Sequence, residues 1–222
     1  MGLTEKGTMR LDTELVVRTA LQLLNEVGLE GLSLRRIAKE LDVQAPALYW
    51  HFKSKQDLLD EMATTMLRDF VTATGQPDPK QPWDEWMMDL GRNLHQMLLG
   101  YRDGAKVFSG THLTDSTLYE ALEFVLRKLT GAGFSLRDAV QGYNITYSYT
   151  IGFTIEEQAV HPRPGERDSQ YDEAQRASRI DAEKFPLALA AGKEMFTGFD
   201  ERFEQGLRVI IAGLAPLLPP RR

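Results

Sequence analysis

Residues 33–55 read SLRRIAKELDVQAPALYWHFKSK. Leu34, Ile37, Ala38 and Leu41 recur at helical spacing, so one side of a short helix packs inward while Arg35, Arg36 and Lys39 stay outside. Asp42 stands where a turn between two helices often holds glycine, and its short polar side chain tolerates a left-handed backbone. Pro46 falls in the first turn of a second helix, where its missing N–H costs nothing and its φ is already helical. The pattern predicts that second helix from about Ala45 to His51. Tyr49, Trp50 and His51 are consecutive, and neighbouring helical residues point about 100° apart, so the three rings cannot all enter a core. At least one faces out beside Lys53 and Lys55.

The same stretch carries a net charge of +3 in a chain whose net charge is −6. Lysines and a tyrosine hydroxyl at a helix end suit phosphates, and residues in the first turn can reach base edges. Residues 1–60 hold eight Lys or Arg against nine Asp or Glu. A protein so charged binds DNA only through a focused patch, which excludes a packaging protein and fits a site-specific binder.

A chain of 222 residues can bury one sizeable core or two modest ones, and 42% hydrophobic with 26% charged residues describes a soluble globular protein. The absence of cysteine excludes disulfides and thiolate metal sites. The first residues lack the apolar core of a secretory signal, and no run is long enough to cross a bilayer. The expectation is a cytoplasmic protein without a membrane partner.

Taken in order, the pattern is all-α. Asp12 or Thr13 caps a first helix with Val16, Ala20, Leu23, Leu24 and Val27 as its stripe, ended by Gly28. Ser54 with Asp57 forms a capping box ahead of a fourth helix, the natural lever between head and body. Residues 75–82 form a loop on composition. Further helices are expected at 83–99, 105–109, 115–130, 135–158, 186–191 and 199–217. The helix from Ser135 would be about 36 Å long and apolar on nearly every side, so it calls for a second partner besides its own core. Gly206 and Gly213 would let another helix approach the last one, and 161–178 reads as a mobile loop. The expected division is 1–58 for the head, 59–74 for a connecting helix and 75–222 for the body.

LYWHFKSKQDLLDEMA at 48–63 resembles the recognition and connecting helices of the TetR family of transcriptional repressors. YRDGAKV at 101–107 and GFSLRDA at 133–139 resemble the tetracycline-repressor branch of that family. Close matching covers about 11–66 and 101–156. The resemblance implies a homodimer paired through its two long C-terminal helices, bound to a palindromic operator in double-stranded DNA and released by a small-molecule inducer. It also implies that Arg35, Gln44, Ala45, Pro46 and Ala47 face bases, while Ser33, Tyr49, Trp50, His51, Lys53 and Lys55 hold the backbone. Where tetracycline repressors carry polar residues this chain has Ala45 and Ala47, whose methyl groups cannot hydrogen-bond, so the operator should differ.

Alignment on the two body motifs puts Val71, Leu90 and Phe108 where those repressors have two drug-contacting polar residues and a magnesium ligand. Glu156 keeps its carboxylate. A magnesium–tetracycline inducer is therefore not expected, and no cofactor or metal is implied. Leu94, Phe108, Leu122, Val125, Val140, Tyr143, Asn144 and Tyr147 instead describe a largely apolar cavity with two hydroxyls and an amide to orient a hydrophobic ligand. Two rival readings are a DNA binder without an inducer and a helical enzyme, the latter with no nucleophile–base pair or phosphate loop in its favour. The four histidines are scattered, and adjacent Glu156 and Glu157 point in different directions on a helix.

Overall fold

A computed structural model describes residues 11–75, 78 and 80–219. Residues 1–10 and parts of the expected 75–82 loop lie outside the described residues. The fold is all-α, and no strand occurs among the described residues. None of the described helices is long and apolar enough to cross a membrane.

The first helix, α1, spans Thr13–Gly31 and starts where Asp12 accepts a hydrogen bond from the Leu15 N–H at 2.8 Å. Gly28 breaks it with φ of 71°, as its position predicts. In α2, Leu34–Glu40, the Ser33 hydroxyl caps the Arg36 N–H. Asp42 has φ of 53°, the left-handed turn expected of it, and the Val43 N–H closes back on the Ala38 carbonyl at 2.9 Å. The next helix, α3, spans only Ala45–Leu48, shorter than the spacing predicts. The Leu48 carbonyl takes both the His51 and Phe52 N–H groups, tightening the chain into a turn that drops Phe52 into the core.

Ser54 then caps α4, Lys55–Thr74, by accepting from the Asp57 N–H. Its hydroxyl also donates to the Asp57 carboxylate at 2.7 Å and holds that carboxyl below the usual range. Asp57 reaches back to the Lys53 N–H, so two orphan donors are satisfied by one pair. Replacing Ser54 with alanine should cost about 1 kcal/mol, read as a lower urea midpoint at unchanged slope.

One hydrophobic core runs from Val16, Leu24, Ile37, Leu48 and Leu58 through Met62 and Met66 to Leu98, Phe108 and Ile151 of the body. The small head shares its core with α4 rather than closing one of its own. The body continues as α5 (Trp83–Leu99), α6 (Gly104–Phe108), α7 (Thr117–Gly131) and α8 (Leu136–Val160). After α9 (Glu173–Ala177) and α10 (Pro186–Met195), it closes with α11 (Phe199–Leu214). Trp86, Met87, Val125, Leu129, Phe203 and Leu207 join α5, α7 and α11 in a second core.

Helix α8 leaves Val140, Ile145, Gly152 and Glu156 exposed along one side of the single chain, the side that a second partner would have to cover. Gly206 does let another helix approach, since Tyr149 of α8 lies over it and its hydroxyl donates to the Phe203 carbonyl at 3.1 Å, while Gly213 faces open space. Two expectations need correction. Residues 161–178 hold a 3-10 turn and α9, each capped by an aspartate. Helix α10 runs on to Met195 and α11 stops at Leu214, a 3-10 turn covering 215–217.

Candidate functional site

Two places combine the residues that the sequence singles out. The first is the outer face of α2 and α3. Ser33, Arg35, Gln44, Pro46, Tyr49, Trp50, His51, Lys53 and Lys55 are all exposed there, with Ala45 and Ala47 half-buried between them. Trp50 is 90% exposed and Tyr49 51%, a cost in apolar hydration that the core could have avoided. Leu48 and Phe52 on the opposite side are buried, so the segment is held firmly while its aromatic side looks out.

Besides Ser33, which caps α2, two side chains of this face are already engaged. The Lys55 ammonium donates to the Leu29 carbonyl at 2.8 Å, and His51 Nδ1 lies 3.2 Å from the Thr13 hydroxyl. The end of α1 is also gripped by the body. Its Leu29 N–H donates to Asp103 at 2.9 Å, and the Arg102 N–H donates to Asn25 at 2.8 Å. Asp103 has φ of 55°, a left-handed residue spent on making that reach. Arg18 on α1 pairs with Asp69 on α4, and Arg68 on α4 pairs with Asp115 at 2.6 Å, so α4 is tied to both units.

The second place is a cavity of about 420 Å³ between α4, α5, α7 and α8. Leu94, Phe108, Val125, Tyr143, Asn144 and Tyr147 line it, gathered from four helices. The rings of Phe108, Tyr147 and Tyr143 follow one another at centroid separations of 6.5 and 6.0 Å. Burial, helped by Tyr147, pushes the Tyr143 hydroxyl up to about 12, so it remains a neutral donor. Leu67 and Phe70 of α4 complete the wall, which brings the cavity against the helix that carries the head.

Comparison with known proteins agrees with this layout. Residues 16–62 match the family described as bacterial regulatory proteins, tetR family, and residues 76–218 match the tetracyclin repressor-like C-terminal domain. The chain belongs to the TetR family. Similar relatives include the tetracycline repressor protein class A from transposon 1721 of Escherichia coli, 40% identical over 93% of this chain and 91% of that protein. Among solved structures, a possible TetR family transcriptional regulator of Streptomyces coelicolor A3(2) superposes with a TM-score of 0.81. It is 37% identical and covers 93% of this chain and all of its own. A TetR protein of Acinetobacter baumannii AYE in complex with minocycline has a TM-score of 0.73 at 32% identity, covering 95% of this chain and 99% of its own.

Within this TetR-family regulator three of the expected cavity residues lie elsewhere. Leu122 is half-buried but does not reach the cavity, since α7 turns Ala121 and Val125 toward it instead. Val140 is 37% exposed, one turn before Asn144 and on the outer side of α8. Glu156 is exposed and far along the same side, while its neighbour Glu157 is the carboxylate that turns inward, to His95. Asn144 does line the cavity and is exposed, lying where the cavity meets that outer side.

The cavity also has residues that the sequence reading missed. Thr146 and Thr150 line it, with hydroxyls donating to the Gly142 and Thr146 carbonyls at 3.0 and 2.9 Å. Their spacing from Tyr143 and Tyr147 places all four on one helical stripe, which was the available signal. Thr111, His112 and Leu113 come from the connection after α6, whose lack of periodicity gave none.

Proposed function

We propose that this protein is a repressor that holds a palindromic operator as a homodimer and releases it when a small, largely hydrophobic ligand enters the cavity. Residues 1–58 read DNA, 59–74 connect, and 75–222 bind the ligand and pair two copies. The observation that carries this reading is the double membership of α4: it follows the exposed recognition segment directly, and its Leu67 and Phe70 wall the cavity. A ligand shifts an equilibrium only by its differential affinity for the two states, and a helix touching both sites supplies that difference.

On DNA, Arg35, Gln44, Ala45, Pro46 and Ala47 face bases, and Ser33, Tyr49, Trp50, His51 and Lys53 hold phosphates. Lys55 would exchange the Leu29 carbonyl for a phosphate. Pairing uses the exposed stripe of α8 with the outer side of α11, where Ile145, Gly152, Val209 and Gly213 offer a low apolar surface. A two-fold pair would set the recognition segments about 34 Å apart, one turn of B-DNA. The ligand is not a magnesium–tetracycline complex, because Val71, Leu90 and Phe108 offer only hydrocarbon.

Selection of duplexes from a random pool, followed by anisotropy titration and sedimentation, tests the reading. Inverted repeats bound by a dimer are expected; retention of no duplex at low salt, or a monomer at micromolar concentration, would overturn it. Lys53→Ala should weaken binding to every sequence alike and reduce the salt slope by about one. Ala47→Asn should change the preferred bases, and an equal loss across all sequences would reverse the orientation given to α3.

A further inference from the structure

A second chamber of about 500 Å³ adjoins the cavity, between the end of α4, the start of α5 and α7. Phe70, Leu90, Ala121 and Val125 line both spaces, so they stand at the waist where the inner chamber adjoins the outer one. The two differ in chemistry. Inside, the rings of Phe108, Tyr143 and Tyr147 make the walls, and the polar groups include two neutral phenols, the lone pairs of the Thr146 and Thr150 hydroxyls, and His112 and Asn144, with no carboxylate among the described lining residues.

Outside, the walls include Trp86 and Phe124, with ring centroids 5.9 Å apart, and the polar groups are rich in acceptors. The Thr74 hydroxyl donates to the Phe70 carbonyl at 2.8 Å, so its lone pairs remain. Gln81 donates its amide to Asp89 at 2.7 Å, which leaves its carbonyl oxygen, and Glu120 adds a carboxylate. Among the described residues lining this chamber none is Lys, Arg or His, and Asn93 adds an amide that can accept as well as donate. Two cations bonded to this region are committed to other groups: Arg92 to Asp89 and Glu204 at 2.9 Å each, and the Lys128 ammonium to the main-chain carbonyls of Gln81 and Asp78.

We propose that the ligand is an elongated molecule filling both chambers, with a flat apolar body in the inner one and an amine-bearing end in the outer one. This deepens the ligand-release reading and rests on it. A donor-bearing end complements the acceptors, and a carboxylate end would meet Glu120 while Arg92 and Lys128 are already bonded to other groups. Threading the waist also places the ligand along Phe70 and Thr74, so it bears on the last turns of α4 as well as on Leu67.

The test compares two fluorescent acridines on the full chain. Aminacrine is a bare aminoacridine; quinacrine is a related acridine carrying a flexible diaminoalkyl arm. The arm should improve affinity about tenfold in the unaltered protein. Thr74→Phe, which fills the outer chamber from a position that does not line the inner one, and Glu120→Lys, on an exposed helical position, should each remove that gain while aminacrine binding stays within about threefold. Thermal melts of both variants confirm folding. Equal binding of the two acridines, or a gain that survives both substitutions, would overturn the two-chamber proposal. In either case aminacrine binding lost on Leu94→Trp would leave the inner cavity and the release reading standing. Failure of both acridines to bind the unaltered protein would overturn the ligand class.

Discussion

Replacing Gly104 with alanine should destabilise the protein by about 3 kcal/mol or more, beyond the usual cost of a small-to-large change. An ideal Cβ there would lie 2.2 Å from the Leu98 carbonyl oxygen, a backbone atom at the end of α5. Backbone held on both sides has no rotamer to escape into. Gly91 gives the contrast: its added Cβ would meet the tip of Leu207 at 2.8 Å, a side chain that can rotate, so Gly91→Ala should cost about 1 kcal/mol. Chemical denaturation of the two variants separates these outcomes, and similar costs would show that the α5–α6 corner yields as easily as a leucine.

The corner matters because Asp103, next to Gly104, is the body's grip on α1. Burial would raise its carboxyl, but the Leu29 N–H, Lys106 and Arg102 together outweigh burial and hold it below its ordinary value of 3.8. A carboxyl depressed by folding stabilises the native state above that ordinary value, and the contribution fades as pH falls through the folded one. The advantage of the unaltered protein over Asp103→Asn should therefore be constant near neutrality and shrink in acid. An advantage independent of pH down to the acid transition would show that the amide replaces the carboxylate fully.

Local signals were the ones that could be read from sequence. Asp42 in its left-handed turn, Gly28 as a helix break and the Ser54–Asp57 cap each depend on residues within a few positions, where sterics and capping decide the conformation. The length of α3 was misjudged because Phe52, not the three rings before it, determines where the chain turns inward. Sidedness on α8 was harder still. With threonine, tyrosine and isoleucine all round, its pattern has almost no direction, and only the packing of α5, α7 and α11 decides that Thr146 and Thr150 face in and Val140 and Glu156 out. The waist between the chambers joins residues from three helices and leaves no periodic trace.

Glu157→Ala should be the second severe substitution, at about 3 kcal/mol or more, since it strands a buried partner and leaves a void. The Glu157 carboxylate lies 2.7 Å from His95 Nε2, and both residues are buried where α5 crosses α8. The imidazole has nowhere else to turn, being stacked on Phe203 at 4.0 Å with Phe153 at its edge. Glu157→Gln keeps an oxygen and the volume, so it should cost about 1 kcal/mol. His95→Phe combined with Glu157→Leu should recover part of the loss, because an apolar pair has no desolvated group to satisfy. One residue further on, Gln158 donates to the Leu98 and Tyr101 carbonyls at 3.1 and 2.8 Å and accepts from the Ala105 N–H. The two side chains thus fasten α8 to the α5–α6 corner that grips α1, and α8 is the floor of the inner cavity. Should the double substitution prove as damaging as Glu157→Ala alone, the hydrogen-bonded pair would be carrying more than the joint, and the cost would have to be sought in the cavity itself by ligand titration of both variants.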